Sequence, residues 1–170
     1  AHDPTKSYGF CGVVADNTNL QGAVFTWWRD EDGKWQAKKT IAIDPRPEDP
    51  EDLPEIIKGF GAVPVLITDI DLSLDDKYLY VACWGIGEMH QYDVSDPFNP
   101  VLAGKGELGG IAKETKHPNG KDFVYGPQMV EVSRDGKRVY WTNSLYSTWD
   151  DQFYPHQEGG QMVMANVGEN

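Results

Sequence analysis

The sequence contains only two cysteines, Cys11 and Cys83, among its 170 residues. They form no CxxC pair, and two cysteines so far apart do not make the disulfide framework of a small cross-linked protein. We interpret both as small hydrophobic residues that are buried in strands.

Positive charge is also scarce, since 15 lysines and arginines stand against 27 aspartates and glutamates, and the formal net charge is −12. A nucleic-acid-binding domain usually has the opposite sign, because it has to approach phosphates. We therefore expect no nucleic-acid partner and interpret the acidity as a contribution to solubility. No apolar run approaches the roughly 18–20 residues that a membrane-spanning helix needs, so we expect no membrane span.

Motifs of several common enzyme classes are absent. The sequence has no GxSxG, no phosphate-binding loop and no GxGxxG, and residues 85–87 (GIG) are interpreted only as a turn. No two of the four histidines are two or four residues apart. The chain therefore has no self-contained metal motif, and a metal site would need residues from distant parts of the protein.

Aromatic residues, glycine and proline are abundant, with 12% aromatics, 18 glycines and 11 prolines. This composition favours strands joined by turns and predicts an all-β protein. Residues 23–29 and 34–43 are β-prone runs on either side of an Asp-Gly turn, which is typical of a hairpin. The proline-rich residues 44–64 interrupt the pattern, and residues 54–59 are predicted to hold a single helical turn.

An internal repeat indicates which all-β fold this is. Residues 73–80 (SLDDKYLY) and 133–140 (SRDGKRVY) share the pattern S-x-D-[DG]-K-x-[LV]-Y at an offset of 60 residues. Around the first copy the sequence predicts four short strands, the content of one propeller blade, at residues 67–74, 77–83, 87–94 and 101–108. The repeat also predicts that residues 77–83 and 137–143 occupy equivalent strands of neighbouring blades.

We predict that residues 1–170 form one partial β-propeller domain of about two and a half blades, built from antiparallel four-stranded sheets. A propeller needs about four blades to close, and proteins avoid bare sheet edges. The expected partner is therefore the remaining part of the propeller, either in the same polypeptide or in a companion chain.

Several strings resemble the selenium-binding protein family, whose characterised members include methanethiol oxidases. They follow the family's order along nearly the whole chain, at residues 2–4 (HDP), 9–12 (GFCG), 66–76 (LITDIDLSLDD), 91–97 (QYDVSDP), 126–129 (GPQM), 144–150 (SLYSTWD) and 152–155 (QFYP). The strings QYDVSDP and SLYSTWD have no generic structural reason to occur together. The match corresponds to the C-terminal half of a family member, without its extreme C-terminus.

The resemblance implies a propeller of seven blades and oxidation of methanethiol by O₂ and water to formaldehyde, hydrogen sulfide and hydrogen peroxide. It implies copper as the cofactor, as in bacterial members, and a small thiol and O₂ as partners; a homo-oligomer is compatible with it. The compartment would be the periplasm for a bacterial methanethiol oxidase and the cytoplasm otherwise. The chain departs from the family at Ile86, where animal members have a histidine. The family's selenium-associated cysteine belongs to the N-terminal half, so Cys11 and Cys83 do not replace it.

Copper that oxidises a thiol needs imidazole or thiolate ligands and an open coordination position, so the histidines are the candidates. His2 precedes a strand within the family's His-x-Pro string, and we assign it as a metal ligand whose companions lie outside this chain. We expect His90 to be solvated on a strand and His117 to be exposed in a polar loop. His156 is a weaker ligand candidate than His2.

Tyr146, Trp149 and Asp150 form a second candidate group. Their aromatic rings could wall an apolar pocket for a methyl-thiol, and Asp150 could orient a ligand histidine. The alternative is a packed loop in which Asp150 caps the backbone. No catalytic residue is assigned.

Two other functions remain open at this point. A non-catalytic selenium-binding or protein-interaction propeller predicts an exposed apolar patch and no buried histidine. A lactonase-type propeller hydrolase predicts carboxylate and carbonyl ligands around a hard cation in the central channel. A thiol oxidase predicts clustered imidazoles there instead.

Overall fold

The computed structural model describes residues 1–116, 120, 122–143, 147–155 and 159–168. Within this part the strands, in chain order, are β1 Tyr8–Val13, β2 Gly22–Arg29, β3 Trp35–Ile43, β4 Arg46–Pro47, β5 Ala62–Val63, β6 Ile67–Leu72, β7 Tyr78–Cys83, β8 Glu88–Asp93, β9 Val101–Glu107, β10 Thr115–Lys116, β11 Asp122–Phe123, β12 Met129–Val132, β13 Arg138–Thr142 and β14 Met162–Asn166. Short helices are 3₁₀ turns at Pro50–Asp52 and Lys58–Phe60, and α1 at Ser147–Asp150. None of the helices described here is long and apolar enough to cross a membrane.

Three antiparallel sheets follow one another along the chain, with strand orders β1-β2-β3, β6-β7-β8-β9 and β12-β13-β14. The first strand of each sheet lies innermost, because β6 packs against both β1 and β12. Sheets that meet through their first strands in this way are successive blades of a β-propeller. The predicted all-β propeller fold is therefore confirmed.

The 60-residue repeat marks equivalent positions in two blades, because β7 and β13 are each the second strand of their sheet. Ser73 Oγ accepts the N–H of Tyr78 at 2.9 Å and donates to Asp75 Oδ1 at 2.7 Å. The hydroxyl of Ser133 makes the matching bonds to the next strand at 3.0 Å and to the aspartate two residues on at 2.6 Å. The S-x-D string is therefore a turn motif that starts the second strand of a blade.

One expectation about local structure is corrected: of the three blade sheets in the described residues, only β6–β9 has four strands. The helical turn predicted at 54–59 is present in tight form, because the N–H of Ile57 donates to the carbonyl oxygen of Pro54 at 2.9 Å and the 3₁₀ turn Lys58–Phe60 follows. A further 3₁₀ turn precedes it at Pro50–Asp52. Asp49 caps this earlier turn by accepting the N–H of Glu51, with Pro50 at the helix start.

Carboxylates join the second blade to the third beside the axis. Asp69 Oδ2 accepts the main-chain N–H of Val130 at 2.9 Å, and Asp71 Oδ2 accepts that of Val132 at 2.8 Å. These side-chain oxygens satisfy backbone donors of β12 that no strand of the neighbouring blade pairs with directly. Burial raises the pKa of Asp69, and its two N–H donors oppose that rise.

Candidate functional site

The hairpin of β6 and β7 has two ends, and candidate residues lie at both. The strands pair from Leu72 opposite Leu79 to Ile67 opposite Cys83. We call residues 72–78 the turn end, and residues 64–67 with 83–87 the loop end. Six-residue strands at about 3.3 Å per residue separate the two ends by roughly 15–20 Å.

His2 lies at the turn end and is exposed. Its main-chain N–H donates to Asp76 Oδ1 at 2.6 Å, and its ring Nε2 lies 2.9 Å from the carbonyl oxygen of Leu72. The contacts fix the N-terminal segment against the end of the inner strand of the second blade.

Asp76 is the buried partner that holds this segment, in a left-handed conformation with φ 59°. It also accepts the N–H of Asp3 at 3.1 Å and the ammonium of Lys6 at 3.2 Å. Burial alone would raise the pKa of Asp76, but the N–H donors of His2 and Asp3 and the Lys6 charge outweigh it and lower the pKa. Both carboxylate oxygens thus already accept hydrogen bonds from the N-terminal segment.

The loop end is built on glycines that pack main chain against main chain. A Cβ on Gly85 would lie 2.1 Å from the carbonyl oxygen of Pro64, and a Cβ on Gly87 would lie 2.3 Å from the nitrogen of Gly110. Gly87 (φ 67°) and Gly110 (φ 118°) also have conformations that favour glycine. Residues 85–87 were predicted to be only a turn, and they are in fact the contact point of three loops.

Arg46 reaches into this packed backbone from the proline-rich segment. Its Nη1 donates to the carbonyl oxygens of Ile86 at 2.8 Å and Gly109 at 3.1 Å. Its Nε lies 3.8 Å from Glu48 Oε2, and no described residue accepts a hydrogen bond from Nε or Nη2, which are both buried. This edge of the guanidinium therefore faces the Glu48 carboxylate at salt-bridge distance and has hydrogen-bond donors that no described residue uses.

Aromatic side chains gather around Trp84 at the same end. Phe153 and Tyr154 meet Trp84 edge to face, with ring centroids 5.2 Å and 5.0 Å away, and Trp149 lies 5.3 Å from Phe153. The Tyr154 hydroxyl donates to the carbonyl oxygen of Trp84. The carbonyl oxygen of Asp150 accepts the N–H groups of Phe153 and Tyr154, which folds the segment after α1 back onto Trp84.

Tyr154 is fully buried beneath an open cleft of about 340 Å³ that it shares with residues 52–54 and 110–114. Burial raises the pKa of Tyr154 well above its usual value; the nearby Arg46 opposes the rise and Asp150 adds to it. The phenol is therefore protonated at neutral pH, and its hydroxyl acts as a donor. The loop end combines an apolar aromatic wall and a half-buried cation, and Tyr154 of the wall lines the nearby cleft.

The two candidate groups that the sequence suggested lie far apart in the structure. Trp149, which is 52% exposed, and Asp150, which is 3% exposed, lie at the loop end, whereas His2 lies at the turn end. Asp150 therefore does not orient the ring of His2. Tyr146 lies outside the described residues.

Two expectations about burial are wrong. His90 is buried rather than solvated, with Nε2 2.6 Å from Glu88 Oε2 and Nδ1 3.2 Å from the Tyr92 hydroxyl. Tyr92, on the same face of β8, packs in the core that contains Val24 and Ile41 of the first blade. Cys11 is exposed on β1, while Cys83 is buried as expected. His117 and His156 lie outside the described residues.

Within the described ranges, no three side chains of histidine, cysteine, aspartate or glutamate are grouped closely enough to hold a metal ion. The donors that the structure shows here do not fit a copper site. That His2 is a copper ligand stays a prediction, and any companion ligands would have to come from elsewhere.

The model of the 56 kDa selenium-binding protein family matches residues 1–170. This chain belongs to that family. Its relatives include proteins named methanethiol oxidase from Xenopus tropicalis, 40% identical, and from Homo sapiens, 38% identical. A relative from Arabidopsis thaliana, 35% identical, is named selenium-binding protein 1. Each comparison covers 98% of this chain.

The chain spans 37% of the length of the vertebrate relatives and 35% of the plant relative. The X-ray structure of a hypothetical selenium-binding protein from Sulfolobus tokodaii superimposes with a TM-score of 0.92 at 54% identity. That superposition covers 98% of this chain and 36% of the other. The blades, the repeat turns and the loop end are thus arranged as in a solved member of the family.

Proposed function

We propose that the full-length protein containing this chain is a methanethiol oxidase. The reaction is CH₃SH + O₂ + H₂O → HCHO + H₂S + H₂O₂, in which the methyl carbon is oxidised, the C–S bond is broken and O₂ is reduced by two electrons. The observation that carries the proposal is 38–40% identity, over 98% of this chain, to relatives named for that activity. An oxidoreductase acting on a small thiol is the coarser statement that these relatives support.

The loop end is where this chain would contribute to the reaction. Methanethiol offers one methyl group and one sulfur, so its site needs an apolar wall and a means of favouring the thiolate. The rings of Trp84 and Trp149 supply apolar surface. A thiolate beside a guanidinium is favoured over the thiol, and Arg46, whose Nε and Nη2 donate to no described residue, would act on the substrate in this way.

Copper binding is part of this proposal for the whole protein only. Copper would supply the redox chemistry with O₂. The described residues assemble no ligand set for it, so we derive no step through the metal. What this chain's own residues would do is hold the methyl-thiol, favour its deprotonated form and exclude water from it.

A non-catalytic selenium-binding role is the second candidate, because one relative bears only that name. It predicts that the full-length protein binds selenite without consuming methanethiol. The lactonase alternative gains no support, since the described residues bring no cluster of carboxylates together.

The test of the oxidase proposal is product formation by the purified full-length protein in sealed vials of methanethiol and O₂. We expect formaldehyde, hydrogen sulfide and hydrogen peroxide in equal amounts, because one of each leaves per turnover. Arg46→Met should lower kcat/KM by about tenfold or more. The rise of kcat/KM with pH should also move to higher pH, because the substrate thiol would then ionise less readily.

Arg138→Met is the matched control, because Arg138 is half exposed and, among the described residues, its side chain pairs with Asp135 alone. Its kinetics should equal those of the wild type. Absence of the three products from the copper-loaded wild type would reject the oxidase, and selenite binding in the same preparation would favour the second candidate. Circular dichroism of Arg46→Met separates a kinetic loss from unfolding.

A further inference from the structure

A cleft of about 300 Å³ opens between the outer strands of the second and third blades. The second blade contributes Tyr80, Met89 and Gln91, and the third contributes Val139 and Trp141. These walls differ from the residues of the loop end, so this cleft is a separate feature from the proposed thiol site. Its size is at the lower limit of small-molecule sites.

Trp141, which lines the cleft, carries a buried indole N–H. Trp141 is only 3% exposed, and its Nε1 has no hydrogen-bond partner within the described part of the chain. A buried donor of this kind costs free energy unless an acceptor reaches it. The cleft therefore favours a ligand that brings an acceptor to Trp141.

Two further polar groups stand beside Trp141. The Tyr80 hydroxyl accepts a hydrogen bond from Gln91 Nε2 at 3.2 Å, so its own proton remains available for donation. Burial raises the pKa of Tyr80, which keeps that proton in place at neutral pH. The rings of Tyr80 and Trp141 meet edge to face with centroids 6.2 Å apart.

Glycines keep the β9 side of the cleft open. A Cβ on Gly104 would meet only Gln91 Oε1, at 4.0 Å, and a Cβ on Gly106 would lie 2.8 Å from the terminal methyl of Met89. Any larger side chain at these positions would project into the space that a ligand would use.

The charged residue between these glycines is already neutralised. Lys105 donates to Glu88 Oε1 at 3.1 Å and lies 3.7 Å from Glu107 Oε1. A charged ligand would thus enter an apolar cleft without a free counter-ion, which is unfavourable. A neutral aromatic molecule would instead meet two aromatic rings and the thioether of Met89, which all favour aromatic contacts.

We propose that this cleft binds a small neutral aromatic molecule with one oxygen acceptor, which receives the hydrogen bond from Trp141 Nε1. Benzamide is the probe, because it has a single ring, a carbonyl acceptor and an amide N–H₂ that can donate to Gln91. Benzoate has the same shape with a negative charge and is the matched ligand control.

The experiment titrates benzamide into the full-length protein labelled with ¹⁵N-tryptophan and follows the indole resonances. The Trp141 resonance, assigned by its loss in Trp141→Phe, should move downfield and saturate with a Kd of about 1 mM or tighter. Benzoate should bind at least about tenfold more weakly. Saturation with an unmoved Trp141 resonance, no saturation, or equal affinity for benzoate would overturn the proposal.

Gly104→Leu should abolish the saturable shift, because its side chain fills the cleft without meeting backbone. Ala103→Leu, on the same strand and exposed, should bind benzamide as the wild type does. If Gly104→Leu fails to fold, Gly106→Ala provides a smaller obstruction that displaces only the flexible tip of Met89, and a Kd at least threefold weaker is expected. Unchanged binding in a folded cleft-filling variant would contradict the assignment of the site.

Discussion

Replacing Gly85 with alanine should destabilise the protein by about 3 kcal/mol or more, because the added methyl has no room. Its carbon would lie 2.1 Å from the carbonyl oxygen of Pro64 and 3.1 Å from that of Val65. Both obstacles are backbone, and the loop they belong to leads directly into the inner strand β6. The clash can be relieved only by moving that strand or the loop after β7.

The measurement is the urea midpoint of unfolding for Gly85→Ala in the full-length protein. Gly59→Ala is the control, because a Cβ there meets nothing within 4 Å; its midpoint should stay near that of the wild type. A variant at Gly85 that unfolds at the wild-type midpoint would show that the loops are not packed as closely as described.

Replacing Glu88 with glutamine should lower the free energy of unfolding at pH 7 by about 2–3 kcal/mol. The carboxylate lies 2.6 Å from His90 Nε2 and accepts from Lys105 Nζ at 3.1 Å. The hydrogen bond with His90, helped by Lys105 and opposed by burial, lowers the pKa of Glu88 from its usual 4.5 to about 2. Glutamine keeps the shape but loses the charge.

The same pKa shift predicts how stability depends on pH. The folded pKa lies below the unfolded one, so the stabilisation is fully present above about pH 4.5 and is lost as the pH falls toward about 2. Glu88→Gln should therefore show a shallower loss of stability across this window. Glu131→Gln, at an exposed position of β12, should leave both the stability and its pH dependence within about 0.5 kcal/mol of the wild type. Equal pH profiles for wild type and Glu88→Gln would contradict the ion pair.

Local patterns predicted the blades well, because the information for a hairpin lies within it. The S-x-D string specifies its own turn through bonds between residues two to five positions apart. The continuous apolar, β-prone run of β7 was sufficient to place it as a strand. The family strings then identified the propeller before any geometry was known.

The candidate site was less predictable, because its contacts join distant parts of the chain. Arg46 bonds to Ile86 and Gly109, which lie 40 and 63 residues away. His2 bonds to Asp76 and Leu72 across 74 and 70 residues. No local pattern encodes such pairs. The burial of His90 also depends on a neighbouring blade, which strand alternation alone does not reveal. The glycines in residues 85–87 and 109–110 could have indicated from the sequence that main chains pack closely at this point.

The account places the thiol site at the loop end, and comparing Trp149→Ala with His2→Ala in the full-length protein tests this most directly. Both side chains are exposed, so each can be truncated with little effect on folding, and they lie at opposite ends of the β6–β7 hairpin. Methanethiol consumption and bound copper are measured for both variants. We predict that Trp149→Ala loses about tenfold or more in kcat/KM with its copper retained, while His2→Ala loses copper and activity together, as a metal ligand should. Full activity in Trp149→Ala would contradict the account, and a loss of activity confined to His2→Ala would place the chemistry at the turn end.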